Sequence, residues 1–359
     1  MATNAWTESV MGLIRLLLAL SVVLDHSGPI FGFQLLGGEL AVLSFYAISG
    51  FYMAMILEGP YAGKTILFFR NRFLRLFPMY WTILVGTIVA SGALWLWTSG
   101  ARPGLLFAWR DQAGELGCLA WPLVVASTLF LFLQDALFFV GQNPSGSGIS
   151  FVADFRQSTP PLSNFLPVAP SWSLALELYF YLMAPWVVRW RPRFIAIAAA
   201  GSAGLWLALA WVGLDFDPWT YRFFPSSVGF FLAGTLAWKL GKRWNADALP
   251  KSVKWSVWLG VVLSVVLHGP GDGWRMLLFA GSIAATLPVL FSLSRGWKWD
   301  RLVGDISFPL YLVHLPVLMA TARLPQWGRV ALAITAAACL QWLVGARIEQ
   351  LRDRKRPTA

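Results

Sequence analysis

Arg15 and His26 stand eleven residues apart in one apolar run. Eleven residues turn an α-helix by about 1100°, ~20° past three full turns, and advance it by about 16 Å. Both side chains would therefore share one helix face. Ionisable groups inside a bilayer are costly and demand a reason. A neutral imidazole is available near pH 7, so His26 suits general-base work on a hydroxyl. Taken singly, Arg15 reads equally as a snorkelling cation and His26 as a structural hydrogen-bonding group. The pair on one face favours function. Asp25 is adjacent but ~100° around the helix, so it would orient His26 only through a local bend near Gly28 and Pro29.

Three further groups carry chemistry. Arg72 and Arg75, within Phe69–Pro78, are three apart. Such a pair can grip phosphates bidentately, although alone it reads as a positive anchor at the membrane surface. Ser173, Glu177 and Tyr181 follow an i, i+4, i+8 row. A carboxylate in an apolar helix needs a partner, such as Arg15 or a backbone donor. Ser307, Tyr311 and His314 follow an i, i+4, i+7 row, with Pro309 and Pro316 beside them. Helix–helix hydrogen bonding explains either row by itself. Cys118 and Cys339 give no metal-ligand spacing, leave a disulfide open, and no metal site is expected.

These groups must be positioned by membrane helices. Of the 359 residues, 57% are hydrophobic and 13% charged, against roughly 25% charged in soluble proteins. Apolar runs of spanning length lie at 11–31, 37–57, 77–98, 119–140, 172–189, 194–213, 224–240, 254–268, 274–293, 306–322 and 327–346. The net charge of +11 would suggest nucleic acid in a soluble chain. Here the cations cluster between apolar runs, as cytoplasmic loops do, and nucleic acid is excluded as a partner. The clusters are Lys64/Arg70/Arg72/Arg75, Arg189/Arg191/Arg193, Lys239/Lys242/Arg243/Lys251/Lys254, Arg295/Lys298/Arg301, and the tail Arg347/Arg352/Arg354/Lys355/Arg356.

Three runs separate the first two clusters, and three crossings cannot return the chain to one side. One of 77–98, 119–140 and 172–189 is therefore re-entrant or interfacial. Run 119–140 carries Gln134 and Asp135; leaving 77–98 uncrossed would instead put Arg102 and Arg110 inside, where positive charge belongs. Both choices stay open. The expected fold is an all-α, polytopic membrane bundle of about ten transmembrane helices plus one re-entrant segment. It is a single domain over 1–359 with no appended soluble domain, both termini cytoplasmic in the inner (plasma) membrane, and 141–171 an irregular outer loop. No cleavable signal is expected, because the first apolar run carries Arg15, Asp25 and His26. The 21 Trp include interfacial belts, and some outer aromatics could stack on a sugar.

Taken together, these segments resemble the acyltransferase-3 family of integral membrane O-acyltransferases. Arg15 and His26 give its Arg-x10-His pattern. Phe45-Tyr46-Ala47-Ile48-Ser49-Gly50-Phe51 is similar to FFxxSGF, FFRNRFLRLFPMYW (68–81) to its RxxRxxP segment, PSWSLALELYFYLMAP (170–185) to WSLxxExxFY, and GDISFPLYLVHLPV (304–317) to SYxxYLxHxP. Five patterns in order span nearly the whole chain. Leu43 stands where many members carry an acidic residue, Glu39 lies one turn earlier, and Phe308 replaces a usual Tyr. Many bacterial relatives add a hydrolase-like extracytoplasmic domain, which is not expected here.

The resemblance implies an acyl-CoA donor, usually acetyl-CoA, entering from the cytoplasmic side. It implies a hydroxyl acceptor, often on a cell-envelope glycan or lipid-linked saccharide, on the other side. Arg72 and Arg75 would then hold donor phosphates, with Arg15 on the donor path. His26 would deprotonate the acceptor or briefly carry the acyl group. Glu177 joins it in the catalytic set, and Ser173, Tyr181, Tyr311 and His314 would support. The competing reading is a transporter or flippase of a glycan intermediate using His and Glu as a proton relay. Transporters often show matching halves, and Arg-x10-His has no later counterpart. A purely structural subunit would leave His26 unexplained. Acetyl against succinyl or longer donors stays open, as does the acceptor: polysaccharide, lipid-linked sugar, peptidoglycan or a small macrolide-like molecule.

Overall fold

The computed structural model describes residues 11–100, 106–142, 148–269 and 273–353. Arg102 and the basic residues beyond 353 lie outside them. The described chain is mainly helical, with one small two-stranded hairpin. Its helices are α1 (Gly12–Ser27), α2 (Gly38–Leu57), α3 (Thr65–Trp97), α4 (Phe107–Asp111), α5 (Ala120–Phe130), α6 (Trp172–Val187), α7 (Pro192–Trp211), α8 (Phe224–Arg243), α9 (Lys251–Leu267), α10 (Trp274–Ser294), α11 (Lys298–Ala320), α12 (Gln326–Leu340) and α13 (Ala346–Asp353). Among the described residues, six helical stretches are long and apolar enough to cross a membrane: α2, α3, α7, α10, α11 and the continuous Gln326–Arg352.

Three elements differ from the expected runs. Helix α3 begins at Thr65, so the arginine segment lies within its first turns and Pro78 sits inside it. Helix α12 continues through a π-helical turn, Gln341–Gly345, into α13, so the basic end after 346 is helical to Asp353. Run 119–140 does not form one helix. Its α5 has 11 residues, a rise of about 16 Å, roughly half the hydrocarbon core. The chain turns there through Leu131 and Leu133, both at φ 65°. The turn is pinned from far away: buried Gln134 donates to the Ser127 carbonyl and the Tyr80 hydroxyl, both at 3.1 Å, and accepts from Ser171 at 2.6 Å. Of the two open candidates, 77–98 lies within a helix long and apolar enough to cross, and 119–140 forms only the 11-residue α5. The expected irregular loop contains a hairpin, Val140–Gln142 antiparallel to Ile149–Phe151, followed by single 3₁₀ turns.

Two close helix crossings set the site. A Cβ on Gly12 would lie 1.6 Å from the Asp300 carbonyl oxygen, and one on Gly304 2.5 Å from Gly12 Cα, so α1 and α11 meet backbone to backbone. The Asp300 carboxylate also accepts from the Gly12 and Leu13 amides at 2.7 and 2.9 Å, satisfying the first turn of α1. Helices α2 and α8 meet likewise, where a Cβ on Gly50 would lie 1.9 Å from the Phe231 carbonyl oxygen. Past the end of α2, Glu58 accepts from Lys239 at 2.6 Å and from Lys242 and Trp238 at 3.1 Å. Burial opposes its charge, but these hydrogen bonds outweigh it and hold the carboxyl below its ordinary value.

Single cysteines placed at positions 150 and 270, in a background with Cys118 and Cys339 replaced by Ser, are expected to label from outside the cell. Those at 64, 245, 298 and 355 should label only after permeabilisation; 270 and 355 lie outside the described residues. Cytoplasmic labelling at 150 would mean that 119–140 crosses despite its short helix.

Candidate active site

Helices α1, α2, α3, α6 and α11 line a partly open cavity of about 740 Å³ including its mouth. It gathers residues from all five sequence patterns: Arg15, Ser49, Arg72, Arg75, Ser173, Glu177, Tyr181, Ser307 and Tyr311 all line it. Arg72 is 2% exposed. Its guanidinium lies 5.8 and 5.7 Å from the Phe68 and Tyr181 ring centres and donates to Asn71 Oδ1 at 2.5 Å. The same oxygen accepts from Arg352 Nη2 at 3.1 Å, tying α13 to α3. Arg352 looked in the sequence like one more tail cation. Arg15 and Arg75 also line an adjoining hollow of about 400 Å³ with Asp305, Gln341 and Glu349.

Hydroxyl groups hold Glu177: Ser49 donates at 2.7 Å, and Tyr181 donates from one turn further along α6. Ser49 is thus the polar residue that the SGF pattern brings to the site. The two polar rows join where Ser173 Oγ and the Tyr311 hydroxyl lie 2.7 Å apart; Tyr311 also donates to the Pro170 carbonyl at 3.2 Å.

His26 lines a second cavity, of about 900 Å³, with Asp25, Glu39, Arg222 and walls that include Phe138, Trp172 and Tyr221. Arg15 and His26 share a helix face, yet each opens into a different cavity. Val42 and Tyr311 line both cavities and form the partition between them. His26 Nδ1 lies 2.8 Å from the Val22 carbonyl oxygen. A carbonyl only accepts, so Nδ1 is the donor there, and in the neutral ring Nε2 is the nitrogen left to accept a proton. The orienting group is thus a backbone carbonyl, while the Asp25 carboxylate lies against the first turn of α2, where a Cβ on Gly38 would meet it at 2.8 Å. His314 does not line either cavity. It is buried, its Nδ1 donates to the Tyr311 carbonyl at 2.7 Å, and its ring centre is 5.1 Å from that of His26.

Among the charged residues of this second cavity, Arg222 carries no pattern in the sequence. Arg222, in the turn before α8, is gripped by Asp217, Nε to Oδ1 at 2.5 Å and Nη2 to Oδ2 at 3.0 Å. Its guanidinium sits 4.1 and 4.2 Å from the Phe138 and Trp172 ring centres. Glu39 appeared in the sequence only as a stand-in for a missing acidic residue, and it lies across this cavity from α1.

The arrangement offers three guanidinium groups on one cavity and an imidazole on the other, with Val42 and Tyr311 shared by both. That suits a long donor with an anionic head and a reactive end, met by a nucleophile from the opposite side.

A family model described as an acyltransferase domain matches residues 10–344. A protein named as a membrane-bound transacylase in Komagataeibacter xylinus is 26% identical over 324 residues, covering 86% of this chain and 72% of its own length. A protein named as a peptidoglycan O-acetyltransferase in Bacillus subtilis is 24% identical over 327 residues, covering 81% of this chain and 46% of its own length. No significant match to a solved structure was found.

Proposed function

From the premise that the chain belongs to the acyltransferase-3 family of membrane enzymes, we propose that it transfers an acyl group, acetyl in the first instance, from cytoplasmic acyl-CoA to a hydroxyl of a cell-envelope glycan or lipid-linked saccharide. The observation that carries this reading is the pair of cavities meeting at Val42 and Tyr311, arginines on one and the His26 base on the other. The names of the relatives, a transacylase and a peptidoglycan O-acetyltransferase, support it.

In this reading the nucleotide phosphates of CoA rest at Arg72 and Arg75, and the pantetheine arm runs past Arg15 toward the partition. The acceptor hydroxyl enters the outer cavity and gives its proton to His26 Nε2 as its oxygen attacks the thioester carbon. The new C–O bond forms, the C–S bond breaks, and the electron pair leaves on the CoA thiolate, which takes up a proton. Direct transfer needs no acyl-enzyme. Glu177 acts at one remove, fixing Ser49 and Tyr181 beside the donor path. In the membrane, α1, α2, α3 and α6 through α12 would make ten crossings with both termini cytoplasmic, and α5 would dip in without crossing.

Purified protein in liposomes, given acyl-CoA and a hydroxyl acceptor, is expected to form the ester and release CoA with no second polypeptide. Product appearing only with an added partner transferase would make this chain an acyl relay instead.

A further inference from the structure

We propose that the Tyr46 hydroxyl is a carbonyl-binding group of the donor site, donating a hydrogen bond to the thioester carbonyl oxygen of the acyl donor. The assignment rests on the reading that the inner cavity takes acyl-CoA. Tyr46 lines that cavity. It is 3% exposed, and its hydroxyl has no hydrogen-bond partner among the described residues. A buried hydroxyl without a partner is unfavourable unless something else supplies the partner.

The ring cannot easily turn away. It stacks on Phe231 with centres 4.5 Å apart and planes 21° apart, and Phe231 stacks in turn on Phe180 at 4.6 Å. The other hydroxyls identified on this wall are committed. Ser49 and Tyr181 bond Glu177, and Ser173 bonds Tyr311. Tyr46 alone among these keeps its donor unspent.

Position selects the ligand atom. Tyr46 is one helical turn, about 6 Å, from Val42 in the partition, and the next turn carries Ser49. It therefore lies between the reacting end of the cavity and the arginines. An acyl-CoA threaded along this path presents carbonyl oxygens there, and the one nearest the partition belongs to the thioester. When the acceptor oxygen attacks, the carbonyl π pair moves onto that oxygen, and the hydrogen bond from Tyr46 strengthens with the growing charge. Collapse returns the pair to the carbonyl as the C–S bond breaks. Tyr46 keeps its proton throughout; the hydroxyl proton goes to His26.

Tyr46→Phe removes one oxygen and keeps the stacked ring. In liposomes, kcat/KM for acyl-CoA is expected to fall about ten- to hundredfold, with the acceptor KM unchanged. Binding should be measured alongside, with acyl-CoA and with the S-alkyl-CoA thioether of equal chain length, which lacks the thioester carbonyl but keeps both pantetheine amides. The variant should lose affinity for acyl-CoA and not for the thioether. Equal losses for both would move the contact to an amide and overturn the thioester assignment. Unchanged turnover and binding would remove Tyr46 from the site. If wild-type protein neither binds nor consumes acyl-CoA, the donor reading itself fails and this assignment falls with it.

Discussion

His26→Ala is expected to abolish acyl transfer while the protein still inserts, folds and binds acyl-CoA. Positioned proton transfer contributes typically about 10²–10⁴-fold to a rate, and among the described residues no other imidazole lines the second cavity. Arg222 is a permanent cation paired to Asp217. His314, the nearest second imidazole, does not line the cavity. Folding should survive because the His26 side chain is exposed to the cavity and its hydrogen bond is to its own helix, at Val22. The helix is held elsewhere, by the Gly12–Gly304 approach and the Asp300 cap. Retained acyl-CoA binding separates lost chemistry from lost structure, since the donor cavity contains no atom of His26. Normal turnover by a well-folded variant would take His26 out of the mechanism.

What the sequence made legible was whatever repeats along one helix. The Arg15–His26 face, the Ser173/Glu177/Tyr181 row and the Ser307–Tyr311 pair depend on a 3.6-residue period alone. All of these except His26 meet at one cavity. What stayed hidden is held by partners distant in sequence. Gln134 ends α5 by bonding Tyr80, 54 positions earlier, and Ser171, 37 later. Without those bonds the apolar run 119–140 looks long enough to span. Arg222 belongs to no pattern in the sequence; only its packing against Phe138 and Trp172 brings it to the second cavity. Arg352 acquires a role through Asn71, 281 positions away. Glu39 shows the limit from another side. Its one-turn offset from Leu43 was visible, but which cavity it faces depends on how α2 meets α1.

Replacing the donor-side arginines should raise the KM for acyl-CoA far more than that for the acceptor. A charge-assisted contact is worth ~1.5–3 kcal/mol, or roughly ten- to hundredfold in affinity. The two residues need different substitutions. Arg75 is only partly buried, so Arg75→Ala removes a charge with little loss of packing. Arg72 is wedged between Phe68 and Tyr181 and shares Asn71 with Arg352. Arg72→Ala would therefore also loosen the α3–α13 tie, and the stem as well as the charge would be lost. Arg72→Lys keeps the charge and most of the stem but loses the planar fork, so a donor KM raised by this variant reports recognition geometry. Donors lacking one phosphate sharpen the comparison. If an arginine contacts the removed phosphate, its variant should be nearly indifferent to the deletion that weakens wild type, and the shortfall from additivity measures the contact. Added salt should weaken wild-type donor binding more than that of the Arg75→Ala variant, because one screened attraction is already gone. An unchanged donor KM in Arg75→Ala and Arg72→Lys alike would leave both residues as positive anchors at the membrane surface, and CoA would then have to enter elsewhere.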